Sequence, residues 1–328
     1  GDEAGTAITT GDYNTTIGFS AGASVTTGVK NNLMGGSAGG ALTAASFNVA
    51  IGHLALTADT LGSRSVAVGR AALNAQNFTS ATDTYNTAVG DAAGASVTTG
   101  QYNTLIGGLA GDAQTTADHN VALGVSTLTT NTKANKNVAI GSNSLNTFNV
   151  TSDTDTYNTA VGYSAGGTMT TGTANTLIGG LAGDAITTGD ENTAVGQGAL
   201  GANTTASGNV AVGQSALLAN TTGAGNVALG RSSLAANTTA SANTGLGRNA
   251  LLSNTTGANN VAVGHQALDS NTTASNNTAV GKDALAANTT GDRNVAVGTE
   301  ALDSNTTSDG NTAVGYRALT TNTTAEIN

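Results

Sequence analysis

An asparagine returns every 17 residues along most of this chain, and that period constrains the fold more than any other feature. From Asn192 the string Asn-[Thr/Val]-Ala-[Val/Leu]-Gly-x-x-Ala-Leu-x-x-Asn-Thr-Thr-[Ala/Gly]-x-x restarts at Asn209, Asn226, Asn243, Asn260, Asn277, Asn294 and Asn311. Toward the N-terminus the same frame begins at Asn14, Asn31, Asn48, Ser65, Asn86, Asn103, Asn120, Asn137, Asn158 and Asn175. Two of those intervals, Ser65 to Asn86 and Asn137 to Asn158, are 21 residues long. The result is eighteen turns, and positions are counted below from 1 to 17 starting at this Asn. A fixed period of this kind marks a repeat architecture in which each unit stacks on its neighbours.

A higher order is also visible. Residues 82–113 closely match residues 154–185 at an offset of 72, which is three turns of 17 and one of 21. The sequence therefore divides into residues 1–157, an N-terminal solenoid segment built from a 72-residue super-repeat with two four-residue insertions, and residues 158–328, a regular 17-residue-repeat solenoid.

Asn, Thr and Gly are poor helix formers, and a 17-residue unit with at least one Gly has no room for a stable helix pair. Positions 2 to 4 read as a short strand ended by the Gly at 5. Ala at 8 with Leu at 9, and Asn-Thr-Thr at 12 to 14, read as second and third extended pieces. Two or three short strands per turn, stacking like on like, predict an all-β, parallel β-solenoid (β-roll) of about eighteen 17-residue turns. At about 4.8 Å per turn the expected rod is roughly 85 Å long.

Composition fits that frame. The chain has 46 Gly, no Pro and no Cys, and 9% of its residues are charged. Leu, Ile, Val and Phe make up less than a fifth of it, a level otherwise associated with disorder. In the repeat frame those residues recur at positions 2, 4 and 9, which predicts a thin core repeated many times. Pro would break hydrogen bonding between stacked strands. From Asn192 onward charges fall only at positions 6, 7, 10, 16 and 17, so the remaining positions read as buried or stacking ones. Residues 2 and 4 point to one side of the strand and residue 3 to the other, yet all are apolar or Thr. Such a strand wants cover on both faces, which predicts a parallel homo-oligomer, with a homotrimer as the first choice.

The same numbers exclude several functions. Without Cys there is no disulfide framework or thiolate chemistry. A net charge of −10 with no basic cluster argues against nucleic acid as a partner. No apolar run approaches the roughly 18 residues of a membrane span, so no membrane insertion is expected in this segment. His53, His119 and His265 lie in separate turns with no companion ligands, and Asp153 with Asp155 makes a lone Asp-x-Asp. No catalytic residue, metal or cofactor is expected, and the chain is not read as an enzyme. The start at Gly1 and the lack of a capping helix at either end fit a fragment of a longer fibre or end-to-end joining.

The run Asn-[Val/Thr]-Ala-Val-Gly-x-x-Ala-Leu resembles the head repeat of trimeric autotransporter adhesins. The fuller string, as in Asn277 to Gly291, more closely resembles the Asn-Thr-Ala-Val-Gly repeats of marine phage tail-fibre and structural proteins. The resemblance covers nearly the whole chain and implies a trimer of β-rolls. The period of 17 departs from the roughly 14 of the adhesin heads, and no neck, heptad stalk or membrane-anchor barrel is visible.

The two 21-residue turns supply the candidate contact residues. Insertions in solenoids map to protruding loops, so Phe78, Asp83, Tyr85, Phe148, Asp153, Asp155 and Tyr157 are the candidate contacts to a host-surface glycan or receptor, the competing reading being that the insertions are bulges with no binding role. Tyr13, Tyr85, Tyr102 and Tyr157 fall at position 17, and Phe19, Tyr163 and Tyr316 at position 6. Exposed rings there can stack on sugars. The Asn-Thr-Thr triplets at Asn203, Asn220, Asn237, Asn254, Asn271, Asn288, Asn305 and Asn322 read as glycosylation sequons. They also read as a structural Asn ladder, in which Asn adopts the left-handed turn conformation and the amides stack.

The expected function is a structural or adhesive fibre protein, a phage tail fibre or related surface adhesin that acts as a rigid rod presenting receptor-binding loops. One alternative is a subunit of a secreted filament assembled end to end. A further alternative, an ice-binding solenoid, is weakened because adjacent Thr residues point to opposite faces. All place the chain outside the cell, as a virion appendage or a cell-surface or secreted filament.

Overall fold

The computed structural model describes residues 1–323, and strands and turns alone make up the described residues, with no helix among them. The chain is a parallel β-solenoid of about eighteen coils, each coil one sequence repeat. It divides into two compact units, Gly1–Ser164 and Ala165–Asn328, so the 157/158 boundary drawn from the sequence falls inside the first.

In the first unit nine three-residue strands, from Thr15–Ile17 to Thr159–Val161, occupy positions 2 to 4 of successive coils. They pair in parallel and in frame, Thr15 opposite Asn32 and Val138 opposite Val121. The frame survives the longer intervals, since Val66 lies opposite Thr87 and Val138 opposite Thr159. The second unit repeats the arrangement with nine strands from Thr176–Ile178 to Thr312–Val314, for example Val210, Ala211 and Val212 opposite Val227, Ala228 and Leu229.

Each coil has one such strand rather than two or three. The Ala-Leu and Asn-Thr-Thr segments are turns and bends whose backbone groups still bond to neighbouring coils. Leu217 N–H donates to Ser233 O at 3.0 Å and Thr221 N–H to Thr238 O at 2.8 Å. The backbone explains why these segments are not extended. Position 9 is left-handed, with φ of 53° at Leu200 and 50° at Leu217, and positions 7 and 17 are left-handed too. Three such residues per coil turn the chain sharply, at a cost of roughly 1–2 kcal/mol wherever the residue is neither Gly nor Asn.

Glycine at position 5 has two reasons to be there. Gly230 has φ +136°, and a Cβ built on it would lie 2.5 Å from the carbonyl oxygen of Gly247 in the next coil. Only a residue without a side chain lets two backbones approach so closely at that φ.

The strand faces are also reversed relative to the sequence reading. Position 3 points inward and is fully buried, as at Ala211 and Ala228, whereas positions 2 and 4 point outward. The core is built from positions 3, 8, 9, 12 and 15, so the large aliphatics at 2 and 4 do not belong to it. Bulk is exchanged between its positions from coil to coil. Where position 9 is Leu, as at Leu56, position 3 is Ala50; where it is Gly39, Leu33 and Leu42 fill the space from positions 3 and 12. A Cβ on Gly39 would approach both Leu33 Cδ2 and Leu42 Cδ1 to 2.8 Å. Close-packed interiors enforce that exchange of bulk between positions.

Polar ladders run through the same interior. At position 1, Asn226 N–H donates to Oδ1 of Asn209 at 2.9 Å, while Asn226 Nδ2 donates to Ala240 O at 2.9 Å. Position 12 carries a second buried ladder in the second unit; nearer the surface, at position 16, a side-chain oxygen accepts the N–H of the preceding coil, as Ser275 Oγ does from Ala258. The buried ladder amides are tolerable because they hydrogen-bond to one another and to the backbone, whereas both side-chain polar atoms of buried Gln114 have no hydrogen-bond partner.

Candidate functional site

Each insertion adds a two-residue parallel strand and a short exposed tip. Thr82–Asp83 pairs with Gly62–Ser63, and Thr154–Asp155 with Ala134–Asn135, the same geometry 72 residues on. Thr79, Ser80 and Ala81 form the exposed tip of the first, and Thr151, Ser152 and Asp153 that of the second. The insertions thus protrude, but the aromatic rings at their bases do not. Phe78 is 6% exposed and Phe148 fully buried, so these two rings are core residues rather than receptor contacts. An apolar ring next to a polar tip turns inward because burial is worth roughly 1.5–3 kcal/mol to it.

Beneath the first tip lies a buried polar cluster. Asp59 accepts the N–H groups of Gly62 at 3.0 Å and Phe78 at 3.1 Å on Oδ1, and Gln76 Nε2 at 2.6 Å on Oδ2. Gln76 Oε1 in turn accepts Asn86 Nδ2 at 2.9 Å. The second insertion has Asn131 where the first has Asp59, and Phe148 where it has Gln76.

The remaining candidates, Asp83, Tyr85, Asp153, Asp155 and Tyr157, face solvent. Asp83 pairs with Arg64 at 3.0 Å, and Asp155 with Lys136. The Lys136 ammonium donates to Asp155 and holds its carboxyl below the usual carboxylate range. Asp153 Oδ1 accepts from Asn135 Nδ2 at 2.7 Å. The Asp-x-Asp oxygens are therefore engaged by N–H donors, and among the described residues there is no group of three or more His, Asp or Glu that could hold a metal ion.

Tyr85 and Tyr157 belong to something larger than their loops. Position 17 of nine successive coils in the first unit reads Tyr13, Lys30, Phe47, Arg64, Tyr85, Tyr102, His119, Lys136 and Tyr157. Two stretches of them are in ring contact, Lys30 to His119 and Lys136 to Tyr157. Lys30 Nζ lies 5.4 Å from the Phe47 ring centre, and Arg64 Cζ lies 4.8 Å from Phe47 and 5.8 Å from Tyr85. Tyr85 and Tyr102 stack at 5.9 Å and 14°, Tyr102 and His119 at 4.7 Å and 27°, and Lys136 Nζ lies 5.3 Å from Tyr157. Reading aromatics alone hides the column, because four of its members are Lys, Arg or His. Reading every residue at position 17 exposes it. The position 6 aromatics Phe19, Tyr163 and Tyr316 are exposed but lie many coils apart.

The sequon Asn residues lie inside the coil. Asn203, Asn220, Asn237, Asn254, Asn271, Asn288 and Asn305 are fully buried, and each from Asn220 to Asn305 donates to Oδ1 of the one before at 2.8–3.1 Å. Backbone N–H of Asn322 donates to Leu319 O at 3.1 Å. None of these Asn residues has the left-handed backbone expected of it; that conformation falls on positions 7, 9 and 17.

The chain matches no protein-family model and no curated protein.

Proposed function

We propose that the chain is a structural element of an adhesive fibre, of the tail-fibre or surface-adhesin kind, whose copies associate side by side outside the cell. The observation that carries this reading is position 4. It is Val, Ile, Leu or Met in all eighteen coils, and it points outward, with Ile51 38%, Leu123 42% and Leu229 42% exposed. Position 2 beside it is Val, Thr or, once, Asn, and neither position carries a charge anywhere. An uncharged face with an unbroken aliphatic row along position 4 marks an interaction surface. Each unit offers eighteen such side chains, close to the roughly 20 to 30 residues per side of a specific interface. A second copy has the same coil spacing, so the two faces can meet coil for coil.

Sedimentation and electron microscopy test the reading. The protein is expected to sediment as a homo-oligomer, a trimer by preference, and to appear as lateral bundles. Val212→Lys with Leu229→Lys, both on the outward face, should give folded monomers. A wild-type chain that stays monomeric at high concentration would overturn lateral association, and continuous filaments joined only end to end would favour the secreted-filament alternative.

A further inference from the structure

The stacked column at position 17 sits where the backbone least favours it. Phe47, Arg64, Tyr85, Tyr102 and His119 have φ of 63°, 65°, 50°, 59° and 59°, a region in which bulky side chains are disfavoured. In the second unit the same position is Gly or Asn in five coils, Gly208, Gly225, Asn259, Asn276 and Gly310, and Ala174, Glu191, Ala242 and Arg293 in the others, with no aromatic ring among them. The first unit thus places a ring or a cation against local propensity in nine consecutive coils, and such departures concentrate at functional surfaces. The column is also open to water: Tyr85 is 51% and Tyr102 46% exposed.

We propose that this column is a binding track for an extended, uncharged polysaccharide lying across successive coils. The inference rests on the adhesive reading above and names its ligand class. Three observations select that class. The column repeats at the coil rise of about 4.8 Å, close to the advance per sugar of an extended pyranose chain, whereas a peptide strand advances about 3.3 Å per residue. Arg64 and Lys136 are already neutralised by Asp83 and Asp155, and the whole chain carries −10, so the track offers little to a polyanion. Exposed ring edges, phenol hydroxyls and cationic N–H groups follow one another along the column, and together they offer C–H and polar contacts to a sugar chain laid across it.

Calorimetric titration of the full chain with a β-1,4-linked glucose hexamer, and with heparin as the anionic comparison, tests the track. The informative variant is Tyr85→Asn with Tyr102→Asn, because Asn suits the left-handed backbone and leaves the coil intact, as circular dichroism would verify. The expected result is hexamer binding by the wild type, at least tenfold weaker binding by the variant, and weaker binding of heparin than of the hexamer. No hexamer binding by the wild type, equal binding by the variant, or a preference for heparin would each overturn the proposal. Sedimentation of the same variant separates this failure from failure of the fibre reading, since Tyr85 and Tyr102 lie off the outward sheet face and self-association should persist.

Discussion

Nδ2 of Asn254 donates to Oδ1 of Asn237 at 2.9 Å, and Asn237 donates in turn to Oδ1 of Asn220 at 2.9 Å. Asn254 also donates to its own coil at Gly257 O and accepts from Asn271. Replacing Asn254 by Ala strands a buried oxygen on one side and a buried N–H on the other. Leaving such groups unpaired costs about 1–3 kcal/mol, so Asn254→Ala should lower the urea midpoint accordingly. Asn254→Asp should cost more at neutral pH, because a carboxylate would face both Gly257 O and Asn237 Oδ1. Equal midpoints for wild type and both variants would show that the ladder contributes nothing.

Full burial of the ladder bears on the Asn-Thr-Thr sequons. A glycan on Asn220 would have to occupy the packed interior where Asn203 and Asn237 sit. Folded protein made in a glycosylating host should therefore show unmodified mass at Asn203 to Asn305. A glycopeptide recovered from natively folded material would contradict the burial.

Two glycines separate close approach from conformational freedom. Gly230→Ala places a methyl 2.5 Å from Gly247 O at φ +136°, and should destabilise by about 3 kcal/mol. Gly225, at φ +65°, has no neighbouring atom within 4 Å of an added Cβ. Gly225→Asn should be neutral within about 0.5 kcal/mol, since Asn adopts that conformation readily. Thermal melts of the two variants should differ by many degrees.

The period made the solenoid legible, because a 17-residue interval between like residues, too short for a helix pair, stacks like on like as one coil on the next. What it did not reveal was which side of the strand faces in. Positions 2 to 4 hold no charge and mostly Val, Ala or Thr, so polarity gives little hint, and Val or Ile looks more like core than Ala does. In most coils the inward position is nevertheless the small one, Ala211 rather than Val210 or Val212, and where Leu takes it, as at Leu33, position 9 is Gly. The pairing of Gly39 with Leu33 and Leu42 could have shown this, since only positions that share one space exchange bulk. The tips of the insertions protrude, as their four extra residues imply, but Phe78 and Phe148 turn inward although they adjoin those polar tips. The column at position 17 was visible in the frame once residues were compared by position rather than by type.

Partly buried carboxylates at position 10 set a pH dependence. Burial is the largest influence on Asp112, Asp184 and Asp269, and it raises each carboxyl above the usual carboxylate range. Oδ1 of Asp112 and of Asp269 accepts no hydrogen bond from the protein. A carboxyl raised in the folded state binds its proton more tightly there than in the unfolded chain. Its favourable contribution is therefore complete below the unfolded value and is lost as pH rises through the folded one. At neutral pH the folded chain holds three charges that would be better hydrated in the unfolded chain. Replacing all three by Asn, which coils in the first unit already carry at this position as Asn74 and Asn146, should raise Tm at pH 7 and leave it unchanged near pH 3. All three carboxylates keep partial contact with water, so the gain per site is small and the triple variant is the one to measure. The comparison is a difference between two proteins at each pH, which cancels the opposite acid response of ion-paired groups such as Asp155. A Tm gain that persists unchanged at pH 3 would mean that packing, rather than charge, separates Asp from Asn at these positions.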